Sequence, residues 1–494
     1  MTCPETAVAK VCLLGELQYD ILSPRRLRQV HRLRRHPDFC RLHEEVAGSR
    51  LLPTKGPRFA PAGWETWLTL CNGDDIGSTL PDEHVLSGRA WAKTLVAAWL
   101  AQFISMTGIC FAIPFLPFYL RKLGVQGEAA QRYWSGLLIS APALMMILTA
   151  PLWGMLADRV GRKLMVMRAM FGGAVVVGLM GVAGSPWALL ALRLLQGGIT
   201  GTVSATNALV SSVSPRRRAG FGLGLMQTAI YAGSSIGPLL GGISADTLGY
   251  APTFWIAGGF LLIGGIVVAA LADEGPAHPR AMLGRGAASE EGLWAVLAKP
   301  GFVTIVGLVF LLQFAGTVLG PVFPLYIEAL VTDKLHVNTD TGKLMAVTAI
   351  SAALVAVPIG LVADRIGPRK VLVLGTLFSG VFMIPQAFVS RIGSLYVFRI
   401  AVGLAAGAIG PAMGGFVNRA VRRASQGKAF GIVQSAGSFG FGLGPLAGGA
   451  LGATFGLRAP FVVVGALQVL FAMVAWRALG RVEAARTVEL SIAK

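Results

Sequence analysis

The chain has 494 residues, of which 54% are apolar and 14% charged, against roughly 45–50% and about 25% in an ordinary soluble domain. With a mean hydropathy of +0.65, that composition excludes a charge-coated soluble globule, and 64 glycines without a three-residue period exclude a collagen-like repeat. The net charge of +19 fits nucleic acid or membrane, and the positions of the charges decide between them.

Residues 1–90 hold 12 basic and 11 acidic residues, four of the five cysteines and a basic stretch from Pro24 to Arg35, with no sustained apolar period. Two readings stand. One is a cytoplasmic extension whose basic stretch lies on anionic lipid. The other is a disordered tail without a core to fold around, or a start placed upstream of the true one. The first residues lack the pattern of a secretory signal peptide, so the first membrane span is expected to direct insertion. Cys3, Cys12, Cys40, Cys71 and Cys110 have no metal or disulfide spacing, and no metal or cofactor is expected.

A bilayer core needs about 20 apolar residues per helix, and twelve such runs follow, all after residue 90. They cover residues 94–118, 134–155, 164–183, 186–211, 220–244, 253–272, 301–327, 343–363, 371–390, 394–416, 430–455 and 459–479. The implied organisation is a first half (91–272), an interdomain loop (273–299), a second half (300–480) and a tail (481–494). The loops and adjoining helix turns on the side of both termini carry 21 Lys and Arg, and the opposite loops carry seven. By the positive-inside rule both termini are cytoplasmic, in a multi-pass protein of the cell inner membrane. The charge is then topological, and no nucleic-acid partner is expected.

The sequence repeats internally. GMLADRVGRK (Gly154 to Lys163) returns as GLVADRIGPRK (Gly360 to Lys370), offset by 206. In span 5, Gln227 precedes Gly233, Gly237, Pro238, Gly241 and Gly242; in span 11, Gln434 precedes Gly440, Gly444, Pro445, Gly448 and Gly449, offset by 207. Arg193 and Arg399 are 206 apart. The fold class is therefore an all-α membrane protein, twelve transmembrane helices in two six-helix halves related as a parallel repeat.

Four motifs carry a resemblance: Gly108, Pro114 and Pro117 in GICFAIPFLPFYL; the GMLADRVGRK loop; RLLQG (Arg193 to Gly197); and GSSIGPLLGG (Gly233 to Gly242). Over residues ~92 to 480 the chain resembles the Major Facilitator Superfamily, and within it the multidrug-exporter branch of the twelve-helix drug:proton antiporters. The resemblance implies a monomeric secondary transporter in the lipid bilayer that exports small amphipathic compounds in exchange for protons by alternating access. An uptake carrier or metabolite transporter of the same fold, and a non-transporting membrane sensor, remain open alternatives. No nucleophile, base and orienting group cluster at one depth, so an enzyme is not expected.

The resemblance assigns Asp158 to a conformational latch with Gly154, Arg159, Gly161, Arg162, Lys163 and the repeat mate Asp364; the plainer reading is a helix end that enforces topology. Gly233, Gly237 and Gly241 have the four-residue spacing of closely packed membrane helices, and Pro238 bends the chain. With Gly242 they form the run that the resemblance places between the halves. In span 4, Arg193, Gln196, Thr200, Ser204, Asn207 and Ser211 recur every three or four residues, one polar stripe on an unbroken helix that should face a wet cavity. Arg193 and Asp158 are the proton-coupling candidates, although Arg193 also fits a capped or snorkelling arginine. Gln102, Thr200, Asn207, Gln227, Tyr231, Gln313, Phe314 and Gln434 complete the candidate cavity. No Asp or Glu falls deep in any span; Asp158, Asp246, Glu328 and Asp364 are near the ends. A cavity with arginine and no acid should prefer neutral or anionic amphiphiles.

Overall fold

Inside a bilayer every backbone polar group needs an internal partner, and the long apolar runs meet that demand as helices. The computed structural model describes residues 88–214, 218–274, 302–420 and 426–492. The chain divides into two units, residues 1–81 and 82–494, and the described residues all belong to the second. The expectations for residues 1–87 and 275–301 lie outside the described residues.

The first half contains α1 (Gly88–Phe111), α2 (Leu116–Lys122), α3 (Glu128–Val160), α4 (Arg162–Met180), α5 (Pro186–Ile199), α6 (Thr202–Val213), α7 (Ala219–Leu248) and α8 (Tyr250–Leu271). The second contains α9 (Phe302–Val318), α10 (Phe323–Leu330), α11 (Val337–Ile366), α12 (Pro368–Met383), α13 (Ile392–Ala420), α14 (Gln426–Phe455) and α15 (Ala459–Ile492). Each expected span has its helix or helix pair, and no strand occurs among the described residues. The tail expected from residue 481 is helical as far as Ile492.

Spans 1, 4 and 7 differ from expectation because each is two α-helices, and span 9 ends in a 3-10 turn, Ile384–Phe388. The breaks in spans 1 and 7 are repeat mates: Pro114 and Pro117 recur 207 residues on as Pro321 and Pro324. A proline has no N–H to donate and clashes with the preceding turn, so α1 stops at Phe111 and α9 at Val318. Tyr119 and Tyr326, also 207 apart, brace the two short helices beyond the breaks. Their hydroxyls donate to Met180 O at 3.0 Å and Gln386 O at 2.5 Å. Span 4 breaks at Gly201, where φ is +108°, and has no counterpart in the continuous α13.

Each half has its own core. Phe115, Leu116, Leu120, Phe254 and Leu261 are fully buried in the first, with Phe115 edge-on to Phe254 at 5.1 Å. Tyr326, Leu344 and Phe461 fill the second. Large apolar side chains such as Leu148, Leu354 and Val397 point outward, each at least 66% exposed. An outward surface of this kind is stable only against lipid.

The halves meet along α3 against α14 and along α7 against α11. A methyl group on Gly136 would lie 2.6 Å from Pro445 O. At the repeat-mate position Gly342, 206 residues on, it would collide with Pro238 O. Only glycine allows these two contacts, so the repeat visible in the sequence becomes a pair of matched interfaces.

Candidate functional site

The glycine run in span 5 has a different partner from the one expected. Gly233 approaches Phe103 O and Met106, Gly237 approaches Thr107 O, and Gly241 approaches Phe111 O, all on α1 of the same half. Gly242 meets Asn338 O on α11 and Pro238 O meets Gly342, so this end of the run reaches the second half. In α14 the mates behave alike: Gly440, Gly444 and Gly448 lie against α9, and Gly449 lies against Arg132 O and Gly136 on α3. The run therefore serves mainly to seat each half's first span.

The polar stripe of span 4 is divided by the break at Gly201. Before it, Arg193, Gln196 and Thr200 are buried, at 7%, 4% and 9% exposure. The Arg193 guanidinium donates to Gln196 Oε1 at 3.2 Å, and the Thr200 hydroxyl to Gln196 O at 2.7 Å. After it, Ser204 and Ser211 are exposed and Asn207 is half-buried, with the Asn207 side-chain oxygen unpartnered. A change of direction at one residue rotates everything beyond it, so the six residues do not share one face.

The break leaves backbone carbonyls that the sequence reading did not anticipate. Trp153 Nε1 on α3 donates to Gly198 O at 2.6 Å, and Arg168 on α4 donates to Thr200 O at 3.4 Å. The Arg168 guanidinium stacks on Trp153, 3.5 Å from the ring centre, a cation–π contact. Irregular backbone at membrane depth requires such partners.

Arg193 and Arg399 form no ion pair among the described residues. Arg399 is 9% exposed and lies 3.7 Å over the Phe323 ring at the start of α10. Arg193 Nε, Arg399 Nε and Arg399 Nη2 have no hydrogen-bond partner among the described residues. Gln102 is fully buried, accepting from the Thr206 hydroxyl, so it ties α1 to α6 instead of standing free. Gln227, Tyr231 and Gln313 are exposed, and Phe314 is half-buried and stacked on Phe310 at 5.9 Å. The Gln434, Asp158 and Asp364 side chains lie outside the described ones. A crevice between α9, α12 and α15, apolar apart from Thr376 and Gln468, contains none of the candidate residues.

Arg162 and Lys163 of the GMLADRVGRK loop bind their own half. Arg162 donates to Ala208 O at 3.1 Å and Lys163 to Ala269 O at 2.9 Å, the latter in the last turn of α8, where a cation is favoured. Glu274, missed in the sequence, accepts from the Arg162 and Lys163 backbone N–H groups and caps α4. Arg159 is exposed, Gly161 has φ +101°, and among the described residues nothing lies within 4 Å of a methyl group on Gly154.

The opposite end is closed by three sets of hydrogen bonds between the halves. Arg121 grips Glu328 through two nitrogens, at 2.9 and 3.0 Å. The Asp246 carboxylate accepts from Asn338 Nδ2 at 2.6 Å, from Thr339 N at 2.8 Å and from the Thr339 hydroxyl at 2.6 Å. Arg132 donates to Gly452 O at 3.1 Å. The hydrogen bond to Glu328 raises the Arg121 guanidinium above its ordinary value. Arg121 and Glu328 lie 207 residues apart, a spacing readable in the sequence once the repeat is known.

Two six-helix halves, each with its own core and joined through matched helix pairs around buried polar groups, define a membrane transporter. The family model described as Major Facilitator Superfamily matches residues 98–330 and 305–493. The chain belongs to the Major Facilitator Superfamily. It is 35% identical over 395 residues to the multidrug resistance protein MdtG of Serratia proteamaculans, covering 79% of this chain and 95% of the relative. The MdtG of Escherichia coli O17:K52:H18 is 33% identical over 394 residues, with coverage of 79% and 95%. Among solved structures, a bacterial homologue of the human lysosomal transporter Spinster in an inward-facing, occupied conformation has a TM-score of 0.66 at 15% identity, covering 80% of this chain and 99% of that one. A D-xylose–proton symporter has a TM-score of 0.64 at 17% identity, with coverage of 79% and 98%.

Proposed function

We propose that the protein is an inner-membrane drug exporter that exchanges small amphipathic compounds for protons by alternating access. The observation that carries this reading is the 33–35% identity to MdtG multidrug resistance proteins over almost their whole length. Both termini face the cytoplasm, on the charge distribution. With that orientation the latched end is extracytoplasmic, the end bearing GMLADRVGRK is cytoplasmic, and the conformation described is inward-open. Support comes from the open space around Gly154 set against the hydrogen bonds at the other end.

Arg193 is the coupling residue in this reading, and Asp158 with its loop is the cytoplasmic latch that closes in the alternative state. Buried arginines without an ion pair among the described residues favour neutral or anionic amphiphiles, because a cationic substrate would meet like charge at low dielectric. The transporter works as a monomer, and residues 1–90 are not required for transport.

Transport in everted membrane vesicles with an acidic interior tests the proposal. A fluorescent amphiphile should accumulate only in vesicles that contain the protein, and a protonophore should release it. Equal accumulation in vesicles without the protein would overturn the exporter reading, and accumulation that survives the protonophore would overturn the coupling.

A further inference from the structure

The parallel repeat dictates what can happen on its axis. Off the axis, contacts between the halves come in pairs, and two are present: the end of α7 against the start of α11 (Asp246 to Asn338 and Thr339), and the end of α14 against the start of α3 (Gly452 O to Arg132). On the axis, a residue meets its own mate. Arg121 and Glu328 are such mates, 207 residues apart and 2.9 Å apart in space. Had the repeat kept one residue type at both positions, like charges would face each other and repel. Here the two positions carry opposite charges, and the guanidinium engages both carboxylate oxygens, a geometry that fixes orientation as well as attraction.

A second observation places this pair in a larger device. Arg121 Nη2 also donates to Gln131 Oε1 at 3.3 Å, and Gln131 Nε2 donates to Pro117 O at 2.7 Å in the broken segment of span 1. The pair is thus wired to the proline break. Asp246, at the end of the helix that carries the glycine run, sits on the N-terminus of α11, where a carboxylate satisfies orphan N–H groups and the helix dipole.

We propose that Arg121, Glu328 and Asp246 are the positioning residues that hold this end of the transport path shut, with the Arg121–Glu328 pair as an axial bolt that depends on complementary charge and not on which half carries which sign. The inference rests on the alternating-access reading above. Its consequence is specific: exchanging the two residues should preserve the bolt, whereas changing either alone should break it.

The experiment uses the full-length protein with its five cysteines replaced by serine or alanine. Spin labels are placed on the exposed positions Lys122→Cys in the first half and Leu335→Cys in the second, and the distance distribution is measured by double electron–electron resonance without substrate. Arg121→Glu and Glu328→Arg should each raise the long-distance population relative to the short by up to about fivefold, the range for an ion pair with one half-exposed partner. The double exchange Arg121→Glu with Glu328→Arg should return the distribution to that of the parent. Asp246→Asn, which removes the charge and leaves a single accepting oxygen for three donors, should raise the long-distance population and should not be rescued by the exchange. An exchange that behaves like the single variants, or single variants that leave the distances unchanged, would overturn the proposal. Where a reversal fails to elute as a single species, Arg121→Gln or Glu328→Gln takes its place, each expected to raise the long-distance population, and the two neutral changes together should not restore the parent distribution; restoration by the neutral pair would overturn the charge requirement. Because the distances are read without substrate, a failed latch is distinguishable from a failed exporter reading, which the vesicle assay judges on the unaltered protein.

Discussion

At the scale of single residues, the two arginines inside the halves and the carboxylate at Glu274 make different demands. Arg193 is held by Gln196 and surrounded by apolar helices, and a charge in such a place costs several kcal/mol, about 2.5–3.5 on insertion scales. A residue that costly which also carries coupling should be dispensable for folding. Arg193→Ala is therefore expected to reduce efflux of a fluorescent amphiphile to background while the protein still inserts and elutes as a single species; full retention of efflux removes Arg193 from the mechanism. Glu274 has the opposite character. It caps the first N–H groups of α4 beside the loop cations, and losing a cap of this type costs about 1 kcal/mol. Glu274→Ala should lower the thermal midpoint in detergent measurably and leave the transport rate per folded molecule within about twofold, since about 0.4 kcal/mol corresponds to a twofold change. Glu274 was illegible in the sequence, because its partners are backbone groups 111 and 112 residues away. Arg121 and Glu328 were visible only as loop charges, and a charge count contains no information about which of them meet.

At the scale of elements, each expected apolar run has its helix or helix pair, and nine described helices are long and apolar enough to cross a membrane, because burial in lipid selects on length and apolarity. Hydropathy did not register the breaks in spans 1, 4 and 7, since a kink leaves it unchanged, and the polar stripe of span 4 was projected onto an unbroken helix for the same reason. The glycine runs were legible as close packing but not in their partners, because spacing identifies a face and says nothing of what covers it. The structure separates the glycines into two kinds. A methyl group on Gly241 or on its mate Gly448 would run into a carbonyl of α1 or α9, while one on Gly154 would touch nothing among the described residues. Overpacking of this sort costs about 1–3 kcal/mol. Gly241→Ala and Gly448→Ala should therefore lower the thermal midpoint by similar amounts, as repeat mates in matched surroundings, and Gly154→Ala should not lower it. If Gly154 comes into close contact only when the end bearing GMLADRVGRK closes, Gly154→Ala should slow turnover with stability intact. A stability loss at Gly154 equal to that at Gly241 would contradict the open end.

At the scale of the whole molecule, the two ends compete for one equilibrium. A transporter of two rigid halves cannot close both ends of its path tightly at once, so groups that hold one end shut and groups that hold the other act on the same population ratio. The axial bolt and Asp246 favour the state described here; the loop around Asp158, in the proposed role, favours its opposite. Arg121→Glu should accordingly shift the spin-label distances between Lys122→Cys and Leu335→Cys toward long values, and Asp158→Asn should shift them toward short values. The two sites lie at opposite ends of α3 and the short helix before it and share no described partner, so their free-energy effects should add within about 0.3–0.5 kcal/mol. The combined variant Arg121→Glu with Asp158→Asn is then expected to have a distribution between those of the two single variants, with a shift equal to the sum of theirs. A combined variant that instead matches Arg121→Glu alone would show that Asp158 does not bias the equilibrium, and the GMLADRVGRK loop would then be a helix end and topology signal, held to its own half by Arg162, Lys163 and Glu274.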